Sequence, residues 1–171
     1  MPKEIHLASP KMIAELVEQY NKELYSYLVY LQLAAIVERD NYIGFAKFFK
    51  KRAEEELVHS NKFFEFISDV NGLAQVKAMK EPKVNDDSLL GLFKQALDHE
   101  QFITDSISKL YEMSLKGKQH TAANFLLWFI NEQVEEESSL DVIISNLERS
   151  KGNEAAILSL QEDLVELISG D

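Results

Sequence analysis

The sequence predicts an all-α chain: a bundle of four long helices, a long crossover between the second and third, and a short fifth helix at the C-terminus. Three observations carry this reading. Three prolines and six glycines leave long uninterrupted segments. Within those segments apolar residues recur at steps of three and four, the period of a helix with one buried face. Between Asn71 and Asp87 the period lapses for about 17 residues, which is long for a connection inside one domain. Residues 1–171 read as a single domain, with helices over about 10–38, 43–70, 88–116, 120–148 and 153–168.

Ser9-Pro10 opens the first helix, a serine at the N-cap followed by proline at the first helical position, where a missing N–H costs nothing. Its stripe runs Ile13, Leu16, Tyr20, Glu23, Tyr27, Tyr30, Ala34 and Val37, so one member is charged. The turn from Asn41 to Gly44 is short and returns the second helix antiparallel, with Phe49, Ala53, Glu56, Phe63 and Ile67 at the same steps. His59 lies three residues beyond Glu56 and shares its side of the helix, so both can face one object. Alone, that pair also reads as a solvated acidic run beside a core histidine.

Fully extended, the crossover spans about 50 Å or more, enough to run the length of a helix of about 28 residues, near 42 Å. The third helix can therefore lie parallel to the second, giving the order up, down, down, up; an up-down-up-down bundle remains open. The third helix carries Leu89, Phe93, Ala96, Glu100, Ile103, Ile107 and Leu110. The fourth carries Ala122, Leu126, Phe129, Gln133, Glu136, Leu140, Ile143 and Leu147. After Gly152, residues Ile157, Leu160, Leu164 and Leu167 give the fifth helix an apolar face that a four-helix bundle does not need, and it is expected to dock elsewhere.

The polar interruptions share a depth. Glu23, Glu56, Glu100 and Glu136 fall roughly 20, 21, 18 and 24 Å from the starts of their helices, the middle of the bundle in either topology. The stripes hold no lysine or arginine as partner. Stranded carboxylates would cost several kcal/mol each, about as much as makes neutralisation or cation binding obligatory. Two divalent cations would offset most of that charge, and oxygen with imidazole donors suits them. The chain has no cysteine, which excludes disulfides and thiolate sites.

Composition is consistent with this. The 171 residues, 46% hydrophobic and 27% charged, can bury a sizeable core, and a net charge of −11 disfavours nucleic-acid phosphates and favours cations. No basic region followed by an apolar run appears from Met1 to Pro10, and no segment is apolar long enough to span a bilayer. No membrane or nucleic-acid partner is expected, and the expected setting is cytoplasmic.

The motifs Asn21-Lys22-Glu23-Leu24-Tyr25-Ser26, Glu55-Glu56-Leu57-Val58-His59, His99-Glu100-Gln101-Phe102-Ile103 and Phe125 through Glu137, with Trp128 and Glu132-Gln133-Val134-Glu135-Glu136, together resemble the non-haem ferritins of bacteria and archaea over essentially the whole chain. The resemblance implies a ferritin-like bundle that stores and detoxifies iron. It implies a ferroxidase that oxidises Fe(II) with O2 or H2O2 and deposits Fe(III) as an oxyhydroxide mineral. By resemblance, Glu23, Glu56 and His59 hold one iron, and Glu56 as bridge, Glu100 and Glu136 hold a second, with Gln133 beside the pair. A third, loosely held iron falls to Glu55, Glu132, Glu135 and Glu136. Tyr30 matches a tyrosine beside the di-iron centre, either as a hydrogen-bond or electron donor or as a core aromatic. Related haem-binding and peroxidase proteins carry a second Glu-x-x-His where this chain has Gln133-x-x-Glu136, so no haem is expected and the second iron should be held less permanently. The same resemblance implies a homo-oligomeric hollow shell of about 24 chains with the fifth helix lining a channel between subunits. Trp128 reads as a packing residue, His6, His99 and His120 as surface or loop residues, and Glu54 and Glu137 as solvated.

Overall fold

Ser9 and Pro10 start the first helix as their chemistry prescribes: the Ser9 Oγ accepts from the Met12 amide at 3.2 Å and proline occupies the first turn. The computed structural model describes residues 7–169, so His6 lies outside the described residues. Five helices follow: α1 (Pro10–Arg39), α2 (Ile43–Asp69), α3 (Leu89–Lys116), α4 (His120–Ser150) and α5 (Glu154–Ser169). None is long and apolar enough to cross a membrane.

The first three helices end in the same motif, a left-handed residue followed by an amide that reaches back to a carbonyl of the last turn. Asn41 (φ 64°) precedes Tyr42 N–H to Val37 O at 2.9 Å, and Asn71 (φ 65°) precedes Gly72 N–H to Ile67 O at 2.8 Å. Asparagine takes this conformation at modest cost. The third stop departs from the simplest expectation. Gly117 has φ −84°, and Lys118 (φ 54°) is the left-handed residue, with Gln119 N–H to Ser114 O at 2.8 Å.

Ring contacts of Tyr20 with Phe64 and Tyr30 with Phe49 run in opposite senses along α1 and α2, so this hairpin is antiparallel. The same holds for α1 and α3, where Lys22 reaches Ser106 and Tyr30 reaches Glu100. Hence α2 and α3 are parallel, and the bundle runs up, down, down, up. The crossover lies along the outside of this pairing. Asn21, buried on α1, donates to Gln75 O at 2.9 Å and accepts from the Lys77 amide at 2.7 Å; farther along, Gln95 of α3 donates to Lys83 O at 2.8 Å.

The core is divided. One apolar cluster contains Tyr30, Leu33, Phe45, Phe49, Ala53, Phe93, Ala96, Leu140 and Ile143; the other contains Met12, Leu16, Tyr20, Phe63, Ile67, Ile103, Leu126 and Phe129. On each of the four helices the buried carboxylate falls between the last residue of one cluster and the first of the other. The depth inferred from helical rise is therefore a layer.

The fifth helix docks on its own bundle rather than elsewhere. Ile157 and Leu164 join the first cluster, and buried Gln161 accepts the Gly44 amide at 2.9 Å. Gly44 is what permits the approach, because a Cβ there would sit 2.9 Å from Gln161 Cβ. Leu167, read as part of the docking face, is 73% exposed.

Candidate metal centre

Burial between two apolar clusters sets the electrostatics of the polar layer. Glu23, Glu56, His59, Glu100, Gln133 and Glu136 are all buried, with Tyr30 beside them. Burial, with Glu56 adding repulsion, holds Glu23 well above the usual carboxylate range. Glu56 is pushed up by burial and then by Glu100 and Glu136. Burial raises Glu136 to about 7 although Arg52 pulls it down. The Tyr30 phenol is raised too, by burial first and then by Glu100.

Glu23, Glu56 and His59 each offer one donor atom within 4.8 Å of the others, as do His59, Glu132 and Glu136. His59 is thus common to two triads. Its Nδ1 is 3.5 Å from Glu56 Oε2, and its Nε2 is 4.0 Å from Glu132 Oε1. Glu23 Oε2 and Glu56 Oε2 are buried with no hydrogen-bond donor of the protein on them. Buried carboxylate oxygens are ordinarily satisfied, so two orphans beside an imidazole fit a hard divalent cation well.

The remaining groups are held by protein donors. Tyr30 donates to Glu100 Oε1 at 2.5 Å, and Gln133 Nε2 donates to Glu100 Oε2 at 3.0 Å, so both oxygens of Glu100 are aimed. Glu100 belongs to neither triad among the described residues. Half-buried Glu55 accepts from Arg52 at 3.1 Å, and Glu135 is exposed. Both line a cleft of about 430 Å³ between α2, α4 and α5 whose wall includes Arg52. Glu132 is therefore brought to His59, whereas Glu55 and Glu135 stand outside the triads.

Reading stripes alone missed two residues. No cation was expected near the carboxylates, yet Arg52 donates to both Glu136 and Ser139, and its ring-face contact with Phe48 is 5.2 Å from the centroid. Gln19, fully buried, donates to Glu23 Oε1 at 2.7 Å; it accepts from Ser106 at 2.6 Å, and Ser106 accepts from Lys22 at 2.5 Å. Gln19 lies one turn before Glu23 and bonds it, a spacing the sequence offers without singling it out, whereas Glu136, the partner of Arg52, is on another helix, which no spacing along α2 announces.

Three other expectations are corrected or refined. His99 is no loop residue: it lies on α3, half-buried, with Nε2 2.7 Å from Ser26 Oγ, and burial lowers its pKa. Glu137 is half-buried and accepts from Thr104 at 2.5 Å, so it is not freely solvated; Glu54 is exposed, as is His120. Trp128 makes a T-shaped contact with the His59 ring, centroids 5.5 Å apart, and Lys62 Nζ lies over the Trp128 ring 4.4 Å from its centroid.

Comparison with known proteins shows a family likeness over most of the chain. The model of the ferritin-like domain family matches residues 13–150. The bacterial non-heme ferritin of Staphylococcus aureus is 33% identical over 158 residues, covering 92% of this chain and 95% of its own. That of Staphylococcus epidermidis is 35% identical over 156 residues, covering 91% and 93%. Among solved structures, the open pore ferritin of the hyperthermophilic archaeon Archaeoglobus fulgidus superposes with a TM-score of 0.90 at 34% identity, covering 93% of this chain and 97% of that one. An engineered closed form of the same ferritin gives 0.90 at 35% identity, over 92% and 96%.

Proposed function

The chain belongs to the ferritin-like domain family, and on that premise we propose that it stores and detoxifies iron, oxidising Fe(II) with dioxygen or hydrogen peroxide and retaining Fe(III) as an oxyhydroxide mineral. The observation that carries this reading is the pair of orphaned oxygens, Glu23 Oε2 and Glu56 Oε2, buried beside His59. Iron is substrate here.

Glu23, Glu56 and His59 bind the first Fe(II). Glu56 bridges to a second ion shared with Glu100 and Glu136, and His59 with Glu132 stands close enough to Glu136 to assist that side. Hard carboxylate donors favour Fe(III) over Fe(II) and so lower the potential of the bound ion. Tyr30 and Gln133 fix the two oxygens of Glu100, which keeps that carboxylate oriented as charge changes. With one imidazole on two ions, the second iron is held less permanently than the first, and oxidised iron passes onward through Glu55, Glu132, Glu135 and Glu136. Each chain is one subunit of a hollow cytoplasmic shell of about 24 copies.

The test is aerobic loading with Fe(II), followed by size-exclusion chromatography, on the wild type, Glu56→Ala and His59→Ala. The expected result is rapid oxidation and an iron-filled particle of about half a megadalton for the wild type, from mass additivity. The initial rate should fall at least about tenfold in both variants, the loss of at least ~1.4 kcal/mol of transition-state stabilisation. Unchanged initial rates in both would remove the assignment, and peroxide consumption without mineral would replace storage by a peroxidase function.

A further inference from the structure

Arg52 is an unusual neighbour for a cation-binding centre. Its guanidinium, mostly buried, donates through one nitrogen to Glu136 and, at 3.1 Å, to Glu55, and through the other to Ser139. Glu136 is itself buried, with little of its carboxylate exposed. A second divalent cation drawing on the same oxygen would meet a fixed positive charge in a site of low dielectric. The two cations compete for one carboxylate.

Arg52 also has somewhere to go. It lies on the wall of the cleft of about 430 Å³ that Glu55 and Glu135 share, and Glu55 already accepts from it. Rotation about its long stem can transfer the guanidinium from Glu136 to these outer carboxylates, so that the arginine's own charge stays paired throughout.

We propose that Arg52 is a tethered counter-ion of the centre: it holds Glu136 while that side lacks metal, and it must release Glu136 to Glu55 and the cleft before a second divalent cation binds. This rests on the metal-centre reading above. Arg52 is a positioning residue, acting through Glu136, and its consequence is that the two cations bind with unequal affinity. In this exchange the Arg52–Glu136 hydrogen bond breaks and a cation–carboxylate coordinate bond takes its place, with no change of oxidation state and no proton moved.

Calorimetric titration of the full-length assembled protein with Zn(II), a divalent ion without redox chemistry, tests this. The wild type should show two classes of site per chain, the second weaker by about tenfold or more, equivalent to ~1.4 kcal/mol. Arg52→Gln should tighten the weaker class by about that factor and leave the tighter class unchanged, and Arg52→Lys should restore the gap. In a Glu136→Gln background, Arg52→Gln should no longer alter Zn(II) binding. A weaker class that is unmoved or weakened in Arg52→Gln would overturn the proposal, as would two equal classes in the wild type, a result that requires no variant to fold. If Glu56→Ala keeps both classes intact, the metal centre itself is misassigned and Arg52 falls with it; if Glu56→Ala loses them while Arg52→Gln changes nothing, only the role of Arg52 falls.

Discussion

At the scale of single residues, the carboxylates of the polar layer make stability depend on pH in a definite sense. Glu136 has its ordinary value of 4.5 when the chain is unfolded and about 7 when folded, so between these values the folded state binds the extra proton. Its contribution is full below about 4.5 and is lost as pH rises through about 7, and Glu23 and Glu56, raised in the same direction, add to the trend. The metal-free protein should therefore melt at a higher temperature at about pH 5.5 than at about pH 7.5, and Glu136→Gln should flatten the slope. Thermal denaturation in chelator across that range checks it. Gln19→Leu should cost about 1–3 kcal/mol in chemical denaturation, because Glu23 Oε1 loses its donor inside the bundle. Glu23, Glu56, Glu100, Gln133 and Glu136, the buried polar residues of the layer, were legible at this scale because each breaks an apolar stripe. Arg52, Gln19 and Ser106 were not, because a polar residue beside the stripe looks like any surface residue until the neighbouring helix is placed against it.

At the scale of elements, the helices were legible from periodicity and caps, while the means of stopping them was less so. Asn41 and Asn71 supply left-handed residues of a suitable type, but after α3 the chain offers Gly117 one position early and places Lys118 in the strained conformation. Lys118→Gly should stabilise the protein by roughly 1 kcal/mol, read as a raised denaturation midpoint without change in slope. The crossover was legible as a gap in the period but its path was not. Its course depends on a few polar contacts, above all Asn21 to Gln75 and Lys77, which no apolar pattern announces. The fifth helix was read correctly as amphipathic, but its partner was missed. A glycine at position 44 signals close backbone approach only once Gln161 stands opposite it.

At the scale of the whole molecule, two apolar clusters sandwich a layer with more carboxylate oxygens than the protein's own donors satisfy. Ligands that bind only the folded state stabilise it by mass action, so Zn(II) at a hundredfold excess over its dissociation constant should add about 2.7 kcal/mol. A raised thermal midpoint with Zn(II) in the wild type, absent in Glu56→Ala, is the expected result. The order up, down, down, up stayed open in the sequence because a centrally placed residue has the same depth whichever way its helix runs. It was resolved only by pairs such as Tyr30 with Glu100, which fix the direction of α3.

That topology has a consequence for the growing chain. Glu23, Glu56 and His59 all belong to α1 and α2, a hairpin with a short connection whose contacts are local in sequence, so their meeting needs nothing downstream of Asp69. Glu132 and Glu136 reach His59 only after α4 has been synthesised and the second hairpin has come alongside the first. A nascent chain thus has Glu23, Glu56 and His59 early and Glu132 and Glu136 only when translation is nearly complete, so under the proposed function the two-iron chemistry waits for the finished fold.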